Sequence, residues 1–203
     1  MWYQSWQAGY HDILKRGFPK PDDDRRILAE LRSPNVGDFL HGGSGAVPFL
    51  VGNRAREAFE RSGLTGFEFG PVLVAKIATK GVRRGGSRAG EPEDAILKSR
   101  GIPLDCTPSL HAVRVTATTE VLPEYESGRT ASGSVSPFRL TPESLTSDLW
   151  RPSYRGKVFS AWTFCSERFR SACETMGSPD IAFEGFRSFM DHYREGLRSD
   201  GRG

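Results

Sequence analysis

The stretch Val47–Val74, VPFLVGNRAREAFERSGLTGFEFGPVLV, reads as an apolar strand, an amphipathic helix and a second apolar strand. The stretch Trp162–Phe186, WTFCSERFRSACETMGSPDIAFEGF, repeats that order. Shifted by 114 positions, residues 53–69 fall on 167–183 without a gap, with identities at Arg54/Arg168, Arg56/Arg170, Ala58/Ala172, Glu60/Glu174, Gly63/Gly177 and Phe69/Phe183. Composition alone gives about one identity in such a window. The physical pattern agrees as well. Ala55, Ala58, Phe59 and Ser62 occupy the i, i+3, i+4, i+7 face of the first helix, and Phe169, Ala172, Cys173 and Met176 occupy that face of the second. Gly52 or Asn53 is placed to cap the first helix, and Gly63 to end it in the left-handed conformation near Ser62. Helices of this length are marginal alone, so each apolar stripe has to pack on neighbouring strands.

Working outward, Val36–Leu40 and Val47–Val51 predict two strands around the glycine-rich segment His41-Gly42-Gly43-Ser44-Gly45. Phe67–Phe69 and Val72–Ile77 predict two more. The alternation in His111–Val121 predicts a half-buried strand with Val113, Val115 and Ala117 inward. Asp22–Asp24 ahead of Arg25–Leu31, with Ile27, Leu28 and Leu31 in one stripe, predicts a short helix ending before Pro34. Residues 79–93 change to glycine, arginine, serine and proline and read as a loop or long hairpin. Asp94–Arg100 reads as a helical turn. The expected architecture is α+β: short strands and helices with a duplicated strand–helix–strand unit, in halves 1–100 and 101–203 related by a pseudo-twofold and forming one body.

Composition bounds the class. The chain has 203 residues, 37% hydrophobic and 26% charged, which suits a folded globular protein. No apolar run approaches the roughly 20 residues of a membrane helix, and Met1–Tyr10 lacks the basic and apolar regions of a secretory signal. Cys106, Cys165 and Cys173 form no CxxC pair and point to free thiols. The cytoplasm is the expected compartment. A net charge of +3 is mild for a dedicated nucleic-acid domain.

Candidate chemistry is sparse. The His41–Gly45 segment has neither a GxSxG elbow nor a P-loop lysine beside it, so a hairpin turn is the better reading. His192 and Glu195 share a helical face but supply only two of the three or four protein ligands usual for zinc. Cys165 and Cys173 align with Val51 and Phe59, which points to packing. No catalytic set, metal site or cofactor is predicted. Trp2, Tyr3 and Trp6, with Arg83, Arg84 and Arg88 of the loop, are the candidate partner contacts, because aromatic and arginine side chains dominate protein interfaces. The same arginines could follow a nucleic-acid backbone, although no aromatic residues lie between them to stack bases. An enzymatic site between the halves, using His41 or His111 with a carboxylate, is a further alternative.

Val47–Val74, with its "GLTGFEF" turn and following Pro-Val, resembles bacterial immunity-type proteins of polymorphic toxin systems. So does Leu145–Phe186, where Asp148-Leu149-Trp150 precedes Cys165-Ser166-Glu167-Arg168-Phe169. These are related to the myxobacterial double-CXXCG group. The chain has no CXXCG, so zinc binding does not carry over. The resemblance implies a cytoplasmic protein that binds and occludes a cognate toxin. The basic balance of this chain suits a neutral or acidic partner.

Overall fold

The computed structural model describes residues 2–5, 27–31, 37–44, 47–77, 109–125, 135–140, 145–159, 162–178 and 180–199. Trp6, the 79–93 loop with Arg83, Arg84 and Arg88, the 94–100 turn and Cys106 lie outside these residues.

The strands are β1 (Trp2–Ser5), β2 (Ile27–Leu31), β3 (Phe39–Ser44), β4 (Val47–Gly52), β5 (Phe67–Ile77), β6 (Leu110–Val115) and β7 (Thr118–Glu120). They continue with β8 (Leu122–Pro123), β9 (Phe138–Arg139), β10 (Leu149–Tyr154), β11 (Lys157–Val158), β12 (Phe164–Cys165) and β13 (Ala182–Gly185). The helices are α1 (Asn53–Arg61), α2 (Glu167–Met176) and α3 (Phe186–Ser199). One sheet has the order β2-β5-β6-β4-β3, and a second has β11-β10-β12-β1-β13 with β7 added to β10. Strands β8 and β9 form a separate ribbon. The chain is thus α+β.

Each of the two sequence stretches runs strand, helix, strand, and in each another strand separates the two. Strands β4 and β5 flank β6, and β12 and β13 flank β1, all paired antiparallel. The registers coincide. Val51 lies opposite Phe39 and His111, and Cys165, 114 positions later, lies opposite Leu149 and Trp2. Phe69 faces Val113 as Phe183 faces Gln4, and Pro71 faces His111 as Gly185 faces Trp2. The strand that β6 supplies from within the chain in the first sheet comes, in the second, from the N-terminus.

The helix ends follow from local chemistry. Gly52 and Ser166 are the N-cap residues, and each backbone N–H donates to the carbonyl of an aspartate that precedes a strand: Gly52 to Asp38 at 3.1 Å, Ser166 to Asp148 at 2.8 Å. Gly63 and Gly177 follow the helices at φ 57° and 65°, where a β-carbon is penalised. On the inner faces Ala55 and Phe59 of α1 are buried, as are Phe169 and Cys173 of α2. The helices meet through Phe59 and Phe169, 4.9 Å between ring centroids.

Both sheets and both helices feed one core, which holds Phe39, Phe49, Val51, Val113, Leu149 and Cys165 beside the helix residues. The pleat alternates the faces. Leu149 and Cys165 enter that core, whereas their neighbours Trp150 and Phe164 stack at 4.9 Å in a second core with Phe138 and Met190 of α3. No helix among the described residues is long and apolar enough to cross a membrane.

Four local expectations change. The turn predicted at His41–Gly45 lies largely inside β3, which runs Phe39–Ser44 and pairs Ser44 with Val47 across an irregularity in register. The helix predicted at Arg25–Leu31 is replaced over Ile27–Leu31 by β2, which runs parallel to β5 with Ile27 opposite Val72. A three-residue apolar stripe in so short a window fits either period, and pairing with a neighbouring strand decides it. The strands predicted at Phe67–Phe69 and Val72–Ile77 are one strand, β5, whose first part pairs with β6 and whose second pairs with β2. The strand predicted at His111–Val121 breaks after Val115. There the N–H groups of Thr116 and Ala117 both donate to the Gly66 carbonyl, at 2.9 and 3.1 Å, and the chain resumes as β7 in the other sheet.

Phe169 is fully buried against Phe49, Phe59 and Phe67. Phe169→Ala is expected to lower unfolding stability by about 3–5 kcal/mol in urea titration, with the slope unchanged.

Candidate partner-binding surface

Two aspartates hold the joint between the units. Asp148 precedes β10, and its side chain is 6% exposed. One carboxylate oxygen accepts from the Ser166 hydroxyl at 2.7 Å. The other accepts from the Thr65 backbone N–H at 3.0 Å, the Thr65 hydroxyl at 3.2 Å and the Arg168 guanidinium at 3.3 Å. Ser166 in turn accepts from the Phe169 N–H, which caps α2. Arg168 reaches across to the Ser62 and Gly63 carbonyls at the end of α1, at 2.5 and 2.8 Å. Cations belong at that end, where the last carbonyls have no helical partner.

The joint is reciprocal. Thr65, in the turn after α1, meets Asp148 at the start of β10. Asp180, in the turn after α2, accepts from the Asp38 N–H at 2.8 Å at the start of β3. Arg54 pairs with Asp38 as Arg168 pairs with Asp148. The Asp38 carboxylate raises the Arg54 pKa by hydrogen bonding and by charge, against a lowering from burial, with Asp180 adding to the rise. Gly37 and Gly66 sit where these turns cross: a β-carbon would overlap the Asp180 carboxylate at the first and the Leu149 carbonyl at the second.

His111 is the titratable centre of a second cluster. Its Nδ1 lies 3.3 Å from the Arg56 guanidinium, which can only donate, so Nδ1 accepts. The proton then sits on Nε2, which donates to Asn53 Oδ1 at 2.8 Å. Arg56 also reaches Glu60 at 2.9 Å and lies over the Phe69 ring. Burial first, then the Arg56 charge, push the His111 pKa below its ordinary value, with Glu60 opposing. Both ring nitrogens are therefore committed to neighbours that hold α1 against β6. His41 lies in β3 opposite Phe49. His192 Nδ1 pairs with Glu184 at 2.8 Å rather than sharing a ligand with Glu195. Among the described residues no group of three His, Cys, Asp or Glu side chains is placed to hold a metal.

Cys165 and Cys173 are buried free thiols. Burial raises both pKa values, that of Cys165 to about 12, which keeps the thiol protonated and unreactive at neutral pH. Trp2 and Tyr3 of β1 lie in an interior strand, between β12 and β13, so the backbone there is already paired on both sides.

An open groove of about 420 Å³ runs between α1 and α2 on the surface. Arg54, Ala58, Arg61 and Ser62 form the α1 wall, and Ala172, Thr175 and Met176 form the other. A second depression of about 310 Å³ lies at the joint, between Thr65, Leu145–Asp148 and Ser166–Arg168. The groove was not anticipated from sequence. Its walls include Ala58, Ser62, Ala172 and Met176, which were expected on the inward stripes; of those stripes only Ala55, Phe59, Phe169 and Cys173 are buried. Asp38 and Asp180 were also missed. The Asp-apolar-apolar triplets Asp38-Phe39-Leu40 and Asp148-Leu149-Trp150 were the available signal. They precede their arginines by 16 and 20 residues respectively, so an ungapped shift cannot align them.

Compared with protein-family models and with curated proteins, the chain matches none.

Two measurements test the joint and the histidine. Asp148→Ala strips a buried carboxylate from four donors and is expected to cost about 2–3 kcal/mol in chemical denaturation. Asp38→Ala, which leaves the exposed Arg54 to water, is expected to cost clearly less. A depressed histidine pKa means that the native state binds fewer protons than the unfolded chain just below pH 6.5. The stability from His111 is thus complete above pH 6.5 and is lost as pH falls through the folded-state value. Denaturant midpoints recorded from pH 7.5 to 4.5 should show this slope in the native protein, and His111→Gln should flatten it.

Proposed function

We propose that the chain is a non-enzymatic binding protein of the immunity type, neutralising a cognate bacterial toxin in the cytoplasm by covering its working surface. One observation carries the reading. The acid, imidazole and thiol groups of the two clusters and the core are consumed in holding the fold, while the joint between the units opens outward as a groove bounded by arginines and a methionine. Arginine and adaptable apolar side chains are what a protein partner needs. The resemblance of Val47–Val74 and Leu145–Phe186 to immunity-type proteins supports the same reading. The matching registers of the two units support descent of both from one duplicated strand–helix–strand unit.

The test is protection. Where a large toxin-like gene stands beside this one, co-expression of the chain with that gene's product should rescue a sensitive bacterial host. The two proteins should co-purify as a complex in which the toxin is chemically unaltered and regains activity once separated. Rescue without a complex, or a toxin covalently changed by the chain, would sink the proposal.

A further inference from the structure

We infer that the tip joining β10 to β11 is the element that enters a concave, carboxylate-lined cleft on the protein partner. That the partner is a toxin rests on the immunity reading, but the chemistry of the tip does not. Arg155 and Gly156 alone connect the two strands, between Tyr154 and its partner in register, Lys157. Both have left-handed backbone, φ 49° and 74°, the conformation that matches a two-residue turn to the twist of its strands. Asparagine, aspartate or glycine suits the first of these positions, whereas arginine carries the penalty of a β-carbon there. Among the described residues Arg155 is the one non-glycine residue with positive φ. Strain of this kind gathers at functional sites, where the surroundings hold it in place. Here the Arg155 N–H donates to Glu120 Oε1 at 2.7 Å, and Glu120 Oε2 accepts from the Ser153 hydroxyl at 3.0 Å.

The turn itself has no need of the guanidinium. That group lies over the Tyr154 ring, 5.0 Å from its centroid, and the ring is packed against the second core, so the cation rests on a fixed platform. Lys157, opposite Tyr154, adds a second positive charge. Neither cation is ion-paired with a carboxylate among the described residues. The acid in contact with the tip is Glu120, and its two oxygens are taken by a hydroxyl and a backbone N–H, so two cations stand against one anion. Arg155, Gly156, Lys157 and Val158 are exposed in succession, and a β-carbon at Gly156 would meet nothing within 4 Å among the described residues. The tip therefore projects. Exposed apolar side chains flank it. Val158, 39% exposed, is opposite Ser153 on the β11 side. Leu122, 56% exposed, follows Val121, whose N–H donates to the Ser153 carbonyl at 2.9 Å. A projecting element fits a concavity, and an arginine held on an aromatic ring among apolar neighbours is an interface anchor. Its uncompensated charge is complemented by carboxylates. Nucleic acid fits less well, because the guanidinium already lies over the ring on which a base would stack, and two cations offer little to a phosphate backbone.

The experiment titrates the isotope-labelled full chain by NMR with a glutamate-rich peptide bracketing one leucine, and with its glutamine counterpart. The acidic peptide is expected to bind at least about fivefold more tightly, weakening as salt rises, with shifts confined to Leu122 and Tyr154–Val158. Arg155→Asn relieves the backbone, so it should keep or raise the thermal midpoint while erasing the preference. Lys157→Gln, on an exposed side chain, should weaken the preference without moving the midpoint. Equal binding of the two peptides, shifts centred elsewhere, or a preference unchanged by Arg155→Asn overturns the proposal. A lower midpoint in Arg155→Asn marks the arginine as a structural residue and overturns it too. So does an oligothymidine that moves the same resonances at lower concentration than the acidic peptide, which assigns the tip to nucleic acid. Self-association of the native chain that Arg155→Asn abolishes assigns it to a second copy, with the same consequence. Protection assays separate the two readings. Protection by the native chain and equally by the doubly substituted chain removes the tip and leaves the immunity function. Failure of the native chain to protect removes that function, and the peptide titration then decides the tip alone.

Discussion

The ring of Phe59 against the ring of Phe169 is the contact through which α1 meets α2, and the shared core is arranged around it. Phe169 also touches Phe49 and Phe67, and Phe59 touches Phe39 and Phe67, so the two rings tie both helices to strands of the first sheet. Volumes are exchanged between corresponding positions. Ala55 in α1 answers to Phe169 in α2, and Phe59 answers to Cys173. Two phenylalanines at both positions would overfill the space, and two small residues would leave a void. The helices can pack closely because the large and small side chains at these two pairs of positions are exchanged.

Around that contact the polar groups are organised to close the ends of the helices. A helix end leaves backbone groups without intrahelical partners. Here the N-cap N–H groups are met by the Asp38 and Asp148 carbonyls, and the last carbonyls of α1 by Arg168. Because each turn after a helix reaches the aspartate of the opposite unit, neither unit satisfies its polar groups alone. The joint is therefore both the packing centre and the place where buried charge is compensated. Its outward side, the groove between α1 and α2, is held open by a framework that is already satisfied.

Much of the fold was legible because the signals were local. The inward pair Ala55 and Phe59, the terminating glycines at 63 and 177, the antiparallel pairing of β3 with β4 and the packing role of Cys165 and Cys173 all depend on short-range geometry or on simple apolarity. The segment Ile27–Leu31 was misread because its stripe fits two periods and only the presence of β5 chooses. Likewise, nothing near Val115 announces that the strand leaves one sheet for the other. The break is imposed by Gly66, some fifty residues away, accepting from Thr116 and Ala117.

The sequence by itself determined the α+β class, the positions of α1 and α2, the buried pairs Ala55/Phe59 and Phe169/Cys173 and the helix ends, since helix periodicity, capping and left-handed glycine are properties of a few consecutive residues. Only the tertiary structure decided that β1 completes the second sheet, that Asp148 and Asp180 bridge the units, that His111 is spent on Arg56 and Asn53, and that α1 and α2 leave a groove between them. Each of these depends on which distant segments are brought side by side, and pairing between remote residues leaves no periodic trace in either partner.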